Sequence, residues 1–311
     1  MIKKSLLTSS ALLMAATGLS ASADTHTPVF FDDFHYQTLG AFYQNGWKAR
    51  TETGHPGIAG ASWSAIGLSF PEDIAGADNG VIRMSSVTDG TAANTRHTQI
   101  CHARKYREGT YAARIFFRDE PSFGPDGDEV IETFYAISPL EAPMDKNYSE
   151  TDFEYLPNGG WGSPDKPAMW TTTWETFQLE PWTKVNEYTR VEGSYAGWRT
   201  LVFTVKDNRV RYYVDGEFFS EHSDKVYPES PMSINFNLWF MPEGADGSQG
   251  PVDSPELREY QEDIDWVYHH AGVALSTQQV NEAVDALRAD RQYFIDRVPA
   301  TSPALPSPCG L

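Results

Sequence analysis

The chain has 311 residues, with 43 Asp and Glu against 24 Lys and Arg, and a formal net charge of -19. Such an acidic chain repels nucleic acid and anionic membrane surfaces, so neither is an expected partner. The charge also disfavours a heavily sulfated polysaccharide. The length allows one large domain or two small ones.

The N-terminus has the features of a secretory signal. Lys3 and Lys4 precede a mostly apolar stretch over residues 6–19, which is followed by Ala21-Ser22-Ala23. A charged start, a short apolar region and a small-residue cleavage site in this order are typical of exported proteins. The apolar stretch is too short and too often interrupted by polar residues to span a bilayer. We therefore expect residues 1–23 to be removed and a monomeric mature protein to be secreted or periplasmic.

Residues 28 to about 270 alternate short segments rich in aromatic and β-branched residues with turns rich in Gly, Pro, Asn and Asp. This pattern predicts an all-β sandwich or barrel. Tight turns at Asp207-Asn208 and Asp215-Gly216 predict hairpins. The predicted strands cover residues 30–34, 109–117, 130–137, 150–154, 198–205, 209–214, 217–219, 232–240 and 263–268.

The C-terminal part of the chain has a different character. Ser276 can cap a helix, and apolar residues recur at near-helical spacing from there to Val298, just before Pro299. The spacing predicts a helix over residues 276–298, followed by an extended Pro/Ser-rich tail. We therefore divide the mature chain into a β-domain over residues 24–270 and a helix with tail over residues 271–311. Such a helix usually packs on its own domain, and binding to a partner protein is the alternative.

The chain has two cysteines, Cys101 and Cys309. Export would permit a disulfide between them, which would tie the tail to the β-domain. Two cysteines without a suitable His spacing do not form a structural zinc site, so no metal site is predicted. The acidic segment at residues 125–129 is too short for a calcium shell, and we expect it to be a solvated turn.

The segment Glu150-Thr151-Asp152-Phe153-Glu154 places three carboxylates at alternating positions. In a strand all three share one face, while Thr151 and Phe153 face the other way. A helix would align Glu150 with Glu154 but not with Asp152. Close carboxylates raise each other's pKa, and glycosidases use a carboxylate beside a carboxyl group that stays protonated. From these residues alone, a solvated acidic edge strand is an equally good interpretation.

Five further segments accompany these acids in a characteristic order. Together they resemble glycoside hydrolase family 16, a group of concanavalin A-like β-jelly-roll enzymes with the signature Glu-x-Asp-x-Glu. The signature lies at residues 150–154 and lacks the inserted residue that forms a bulge in some members. It is therefore more similar to the lichenase and xyloglucan-enzyme type than to the laminarinase or agarase type. The other matching segments are residues 31–34, 106–114, 212–217, 232–239 and 263–267.

The resemblance implies a jelly roll of two antiparallel sheets that hydrolyses internal bonds of a β-1,3/1,4 or β-1,3 glucan. Glu150 would be the nucleophile, Glu154 the acid/base and Asp152 a residue that tunes both. An extended strand separates the Cα atoms of Glu150 and Glu154 by roughly 13 Å. Because a retaining pair needs its carboxyl groups about 5–5.5 Å apart, the sheet must be curved. No cofactor is implied, although some jelly rolls of this type carry a structural Ca²⁺ near the termini.

Aromatic residues cluster after the acidic segment and suit the stacking of sugar rings. Trp161, Trp170 and Trp174 are candidates for substrate binding, and Trp170 and Trp174 would share one strand face. Asn237 and Trp239, two residues apart on a later strand, are further candidates. The alternative for each tryptophan is packing in the core.

Three other functions remain open. A transglycosylase would use the same acids with a sugar hydroxyl as acceptor. A galactan such as agar or carrageenan would be another substrate, although the missing bulge residue disfavours it. A lectin-like carbohydrate-binding protein could have the same fold, because fold does not determine function. The intact acidic segment argues against a lectin, which has no need for three close carboxylates.

Overall fold

The computed structural model of the chain describes residues 27–164 and 166–310, so the predicted signal at residues 1–23 lies outside the described residues. Two α-helices are present in these ranges, α1 (Leu39–Gln44) and α2 (Thr277–Ala289). Single 3-10 turns lie at Ala65–Gly67, Ala92–Asn94, Asp224–Val226 and Ala245–Gly247. In chain order the strands are β1 (Val29–Asp32), β2 (Trp47–Ala49), β3 (Ser62–Trp63), β4 (Leu68–Ser69), β5 (Ile82–Thr88), β6 (Arg96–Tyr106), β7 (Gly109–Phe117), β8 (Val130–Ile137), β9 (Glu150–Leu156), β10 (Gly159–Gly160), β11 (Ser163–Pro164), β12 (Ala168–Gln178), β13 (Thr183–Glu192), β14 (Gly197–Lys206), β15 (Arg209–Val214), β16 (Glu217–Ser223), β17 (Met232–Phe240), β18 (Arg258–Ala271) and β19 (Phe294–Asp296).

The strands form two packed layers. The first, here called the site layer, has the order β13-β12-β9-β8-β17-β6-β2. The second, the helix layer, has the order β16-β15-β14-β7-β18, with β5 and β1 pairing with different halves of β18. Strand β6 also pairs with β5 and β3, which joins the layers into one 17-stranded sheet that curves nearly into a barrel. The predicted all-β jelly roll is confirmed.

The main core lies between the two layers. On β9, Phe153 and Tyr155 face inward and are fully buried, as the alternation of the segment predicts. The ring of Phe153 lies 5.3 Å from that of Tyr212, and burying such aromatic surface is a major source of stability. Four strands, β7, β8, β15 and β17, have the predicted limits. The prediction missed β6, because its polar residues, such as Gln99 and Arg104, interrupt the apolar alternation.

The C-terminal helix is shorter than predicted. It begins after Ser276, whose side chain accepts a hydrogen bond from the backbone N–H of Gln279 in a capping box. It ends at Ala289 instead of near Val298, and the chain then forms β19, in which Ile295 pairs with Phe31 of β1. The predicted stop at Pro299 is therefore wrong. The backbone groups at the edge of β1 provide hydrogen-bond partners that local helical spacing cannot reveal.

Helix α2 packs on the outer face of the helix layer. Val280 and Val284 are buried there in an apolar cluster with residues of β1 and β18. Arg288 donates hydrogen bonds to Asp33 at 2.6 Å and to Asp265 at 2.7 Å. Residues 271–310 are thus built into the same folded unit as the β-domain.

The acidic segment at residues 125–129 is only in part the solvated region that the sequence predicts, because Asp126 is exposed and the next two acids are not. Asp128 is fully buried and accepts two hydrogen bonds from Arg258, at 2.8 and 2.7 Å, and Glu129 is also buried. Within residues 27–164 and 166–310, no three His, Cys, Asp or Glu side chains are grouped so that they could hold a metal ion. No helix of the same ranges is long and apolar enough to cross a membrane.

Candidate active site

The three acids of β9 lie on the outer face of the site layer, opposite to the core-facing Phe153. Antiparallel pairing places Glu154 beside Trp170, and Glu150 beside Trp174, on β12. On the other side of β9, Asp152 pairs with Tyr135 of β8. Because paired residues of neighbouring strands point to the same face, polar and aromatic side chains form rows that cross the strands. The acids therefore lie in the middle of a surface that runs across the site layer.

Asp152 is the most deeply buried of the three acids, with 3% of its surface exposed. Its Oδ2 accepts a hydrogen bond of 2.8 Å from Nε1 of Trp174. Burial, together with the charges of Glu150 and Glu154, raises the pKa of Asp152 well above its usual value. Asp152 therefore keeps its proton to a higher pH than an exposed Asp does, and it is hydrogen-bonded to Glu150.

Glu150 is half-buried, and its carboxylate has stronger hydrogen bonds than that of Glu154. Its Oε2 accepts a hydrogen bond of 2.5 Å from the hydroxyl of Tyr148, and a second hydrogen bond joins it to Asp152. Burial raises the pKa of Glu150 to about 7, while these two hydrogen bonds act in the opposite direction. Hydrogen bonds to the charged form favour ionisation. The surroundings thus stabilise negative charge on Glu150 within a site that otherwise disfavours it.

Glu154 has weaker support for a negative charge. Its only side-chain hydrogen bond within the described residues is a long one of 3.4 Å from Oγ1 of Thr172. Burial and the charge of Glu150 raise the pKa of Glu154 to about 8, against a smaller opposing effect of Lys184. Glu154 therefore retains its proton more readily than Glu150. A stabilised carboxylate and a protonated carboxyl group on one strand face can act as nucleophile and general acid.

The surface beside the acids has a polar floor. The hydroxyl of Tyr135 accepts hydrogen bonds from Nε2 of Gln99 at 2.8 Å and from Nδ2 of Asn237 at 3.2 Å. The side-chain oxygen of Asn237 in turn accepts a bond of 2.6 Å from Thr133. Asn237 is buried, and its amide nitrogen and amide oxygen both form hydrogen bonds. Asn237 therefore holds Tyr135 in place and does not itself face a ligand.

The predicted tryptophans have different surroundings. Trp174 is half-buried and fixes Asp152, while Trp170 lies beside Glu154 with its ring 5.3 Å from those of Trp161 and Tyr188. These rings lie on the face of the acids or next to it. Trp239 is 8% exposed and packs with Trp63, Leu156 and Met241 in an apolar cluster. The structure therefore brings Trp161, Trp170 and Trp174 to the acids, whereas Trp239 contributes chiefly to packing.

Four further polar residues of the site are not predicted from the sequence: Tyr135, Tyr148, Thr172 and Gln99. Tyr148 could have been found, because it continues the two-residue alternation that leads to Glu150, Asp152 and Glu154. Tyr135 lies on a correctly predicted strand, but only the register of β8 against β9 brings it to Asp152. Gln99 lies on β6, which was not predicted.

No protein-family model matches the chain, and no curated protein matches it. The Bacillus licheniformis β-glucanase has a similar structure, with a TM-score of 0.56 and 15% identity over 78% of this chain and 97% of that one. A glycoside hydrolase family 16 protein of Bacteroides ovatus, bound to a G4G4G3G product, has a TM-score of 0.56 and 16% identity over 76% and 98% of the two chains.

A κ-carrageenase from Pseudoalteromonas carrageenovora, in complex with an oligotetrasaccharide of κ-carrageenan, is also similar. Its TM-score is 0.54 and its identity 15%, over 82% of this chain and 99% of that one. The chain covers nearly the full length of all three structures. At these identities the likeness shows that they share a fold.

Proposed function

We propose that this chain is a secreted, retaining β-glycanase of glycoside hydrolase family 16 that hydrolyses a β-linked glucan. The observation that carries the proposal is the arrangement of the three acids. Glu150 has two hydrogen bonds that stabilise its negative charge, and Glu154, on the same face, has only one long contact. Retaining glycosidases need a negatively charged nucleophile and a protonated acid in one site.

In the proposed reaction the carboxylate of Glu150 attacks the anomeric carbon of the sugar. The bond from this carbon to the leaving oxygen breaks, and Glu154 gives its proton to that oxygen. The product is an ester between the sugar and Glu150. Glu154, now a carboxylate, removes a proton from water, whose oxygen attacks the same carbon and releases Glu150 as a carboxylate. Two inversions leave the anomeric configuration unchanged.

Asp152 acts as a positioning residue in this scheme. It is held by Trp174 and is hydrogen-bonded to Glu150 while it keeps its own proton. A neutral donor beside Glu150 stabilises the charge that the nucleophile needs and adds no negative charge of its own. Asp152 therefore makes it possible for three carboxyl groups to share a buried surface.

A β-1,3/1,4 or β-1,3 glucan is the proposed substrate. The aromatic rings of Trp161, Trp170 and Tyr188 offer apolar faces to sugar rings beside the acids. Names among the similar structures include a β-glucanase and a protein bound to a mixed-linkage glucan product. Export is consistent with a polymeric substrate, which cannot enter the cell.

The test compares wild type with Glu150→Gln, Glu154→Gln and the control Glu217→Gln, an exposed glutamate on β16. Barley glucan, laminarin, xyloglucan, agarose and chitin are the substrates. We expect the first two variants to lose hydrolysis of the glucan that wild type degrades, and Glu217→Gln to retain it. If Glu150→Gln remains as active as wild type, the assignment is wrong.

Two further readouts test the mechanism. NMR of the first product should show the retained anomeric configuration. With an activated aryl glycoside, Glu154→Gln should accumulate a sugar on Glu150, detectable by mass spectrometry of peptides, because no acid is needed for a good leaving group. Transfer products, or activity on agarose alone, would indicate the transglycosylase or galactanase alternative. Binding without any hydrolysis would indicate a carbohydrate-binding protein.

A further inference from the structure

The last residues of the chain lie against the site layer. Cys309 forms a disulfide with Cys101 of β6, and both residues are buried. The side chain of Ser233, on β17, donates a hydrogen bond of 3.1 Å to the carbonyl of Pro308. Arg104 donates one of 3.0 Å to the carbonyl of Ser307, and another to that of Gly310. Residues 307–310, here called the end segment, are therefore fixed to two neighbouring strands by covalent and polar contacts.

The end segment lies on the same face as the three acids. Cys101 pairs with Asn235, Asn235 with Tyr135, and Tyr135 with Asp152, so these residues form one row across four strands. Three strand spacings place Cys101 roughly 14 Å from Asp152. Ser233 belongs in the same way to the row of Glu150, roughly 10 Å away across two spacings. The end segment thus stands at one end of the surface that crosses the acids.

The loop after β2 borders the same surface on the side of Glu150. Arg50 donates hydrogen bonds to Gln99 at 3.1 Å and to the carbonyl of His55 at 2.9 Å, which holds the loop over β6. The ring of His55 lies 6.1 Å from those of Phe177 and Trp182, which follow Trp174 along the chain. The loop therefore extends from β6 toward the turn between β12 and β13, and it approaches the end of the surface nearest Glu150.

The opposite end of the surface is accessible. Tyr188 on β13, in the row of Asp152, has 57% of its surface exposed, and its ring packs on Trp170. A sugar chain can therefore extend past the acids in this direction, over aromatic rings, but on the β6 side it meets the end segment.

We infer that the end segment, held by the Cys101–Cys309 disulfide, is an end wall that stops one terminus of the glucan chain. The enzyme would then cut at a fixed, short distance from that terminus. This inference rests on the proposed function and replaces the expectation that internal bonds are cleaved. The wall limits how many sugar units fit between the β6 side and the acids.

The test compares wild type with a chain that ends at Thr301 and carries Cys101→Ser. The control is full-length Arg107→Gln, which loses an exposed arginine bonded to the carbonyl of Glu229. Product sizes and the loss of viscosity per new reducing end are measured on the glucan that wild type degrades. A thermal melt of each protein checks folding. As a second route, dithiothreitol is added to wild type and to full-length Cys101→Ser/Cys309→Ser, which has no disulfide to reduce.

We expect wild type and Arg107→Gln to release one dominant short oligosaccharide from the first time point, with little loss of viscosity. The shortened chain should give a mixture of longer products and a several-fold larger viscosity loss per reducing end. Dithiothreitol should shift wild type in the same direction and leave the double Cys variant unchanged. If wild type already gives mixed product sizes and the shortened chain gives the same mixture, the end wall is refuted while the proposed function stands. If wild type hydrolyses none of the glucans, the proposed function fails, and the inference fails with it.

Discussion

Two glutamates in the core make the stability of this protein depend on pH. Glu132 of β8 and Glu262 of β18 are both fully buried, and none of their four carboxyl oxygens has a hydrogen-bond partner within the described residues. Burial raises the pKa of each well above its ordinary value of 4.5, and the charge of Glu132 further raises that of Glu262. Nearby Arg118 acts in the opposite direction on both, with a smaller effect than burial. In the folded protein both glutamates therefore keep their protons to a higher pH than they do in the unfolded chain.

The direction of the pH effect follows from proton counting. Above pH 4.5 the unfolded chain releases the proton of each glutamate, whereas the folded protein keeps it. Because the folded state then binds more protons than the unfolded one, the free energy of unfolding falls as pH rises. The stability that each neutral glutamate contributes is fully present below pH 4.5. It decreases as the pH rises from 4.5 to the folded-state pKa of the group. The slope is about 1.4 kcal/mol per pH unit for each group.

The test replaces one of these groups by a side chain of similar volume that does not titrate, in the variant Glu262→Gln. Denaturant unfolding of wild type and variant is measured at a series of pH values from 5 to 8. We expect the stability of the variant relative to wild type to rise with pH from pH 5 upward, by at most about 1.4 kcal/mol per pH unit. The constant cost of the Gln amide in the core does not affect this slope.

The control is Glu217→Gln, because Glu217 is exposed on β16. Its stability should follow that of wild type in parallel at every pH. A Glu262→Gln variant whose stability also runs parallel to wild type would show that Glu262 is ionised in the folded protein, and the reasoning would be refuted.

Three further predictions concern the site, a buried ion pair and the C-terminal helix. Tyr148→Phe removes a hydrogen bond that favours the charged form of Glu150, so the acidic limb of the pH profile of kcat/KM should move to higher pH; an unchanged limb would contradict the role of Tyr148. Arg258→Met leaves Asp128 buried without its ion-pair partner and should cost about 3–5 kcal/mol in denaturant unfolding. A loss below about 1 kcal/mol would contradict a stabilising role of this ion pair. Ser276→Ala removes the cap of α2 and should cost about 1 kcal/mol, with Ser276→Thr, which keeps a capping hydroxyl, close to wild type.

Local patterns were sufficient for much of the fold. The alternation of Thr151, Phe153 and Tyr155 with the acids of β9 predicts which side faces the core, because the side chains of a strand alternate. The limits of β7, β8, β15 and β17 follow from runs of aromatic and β-branched residues between turns. The start of α2 follows from its capping residue. Each of these features depends on neighbours in the chain, which the sequence contains directly.

Other features depend on partners that are distant in sequence. The helix ends at Ala289 because the following residues pair with β1, more than 260 positions earlier. Tyr135 reaches Asp152 only through the register of β8 and β9, and Asn237 is occupied by Thr133 and Tyr135. Such pairings depend on burial and hydrogen bonding across the whole sheet, so the sequence of a single strand does not predict them.

The all-β class, the strand that carries Glu150, Asp152 and Glu154, and the side of that strand on which they lie therefore follow from local sequence patterns. The differences between these acids follow only from the folded sheet, because burial and the donors Tyr148 and Thr172 distinguish them. The contents of the end of their surface also depend on the fold. The end segment reaches Cys101 across 208 positions of the chain, and only the folded sheet brings such distant residues together.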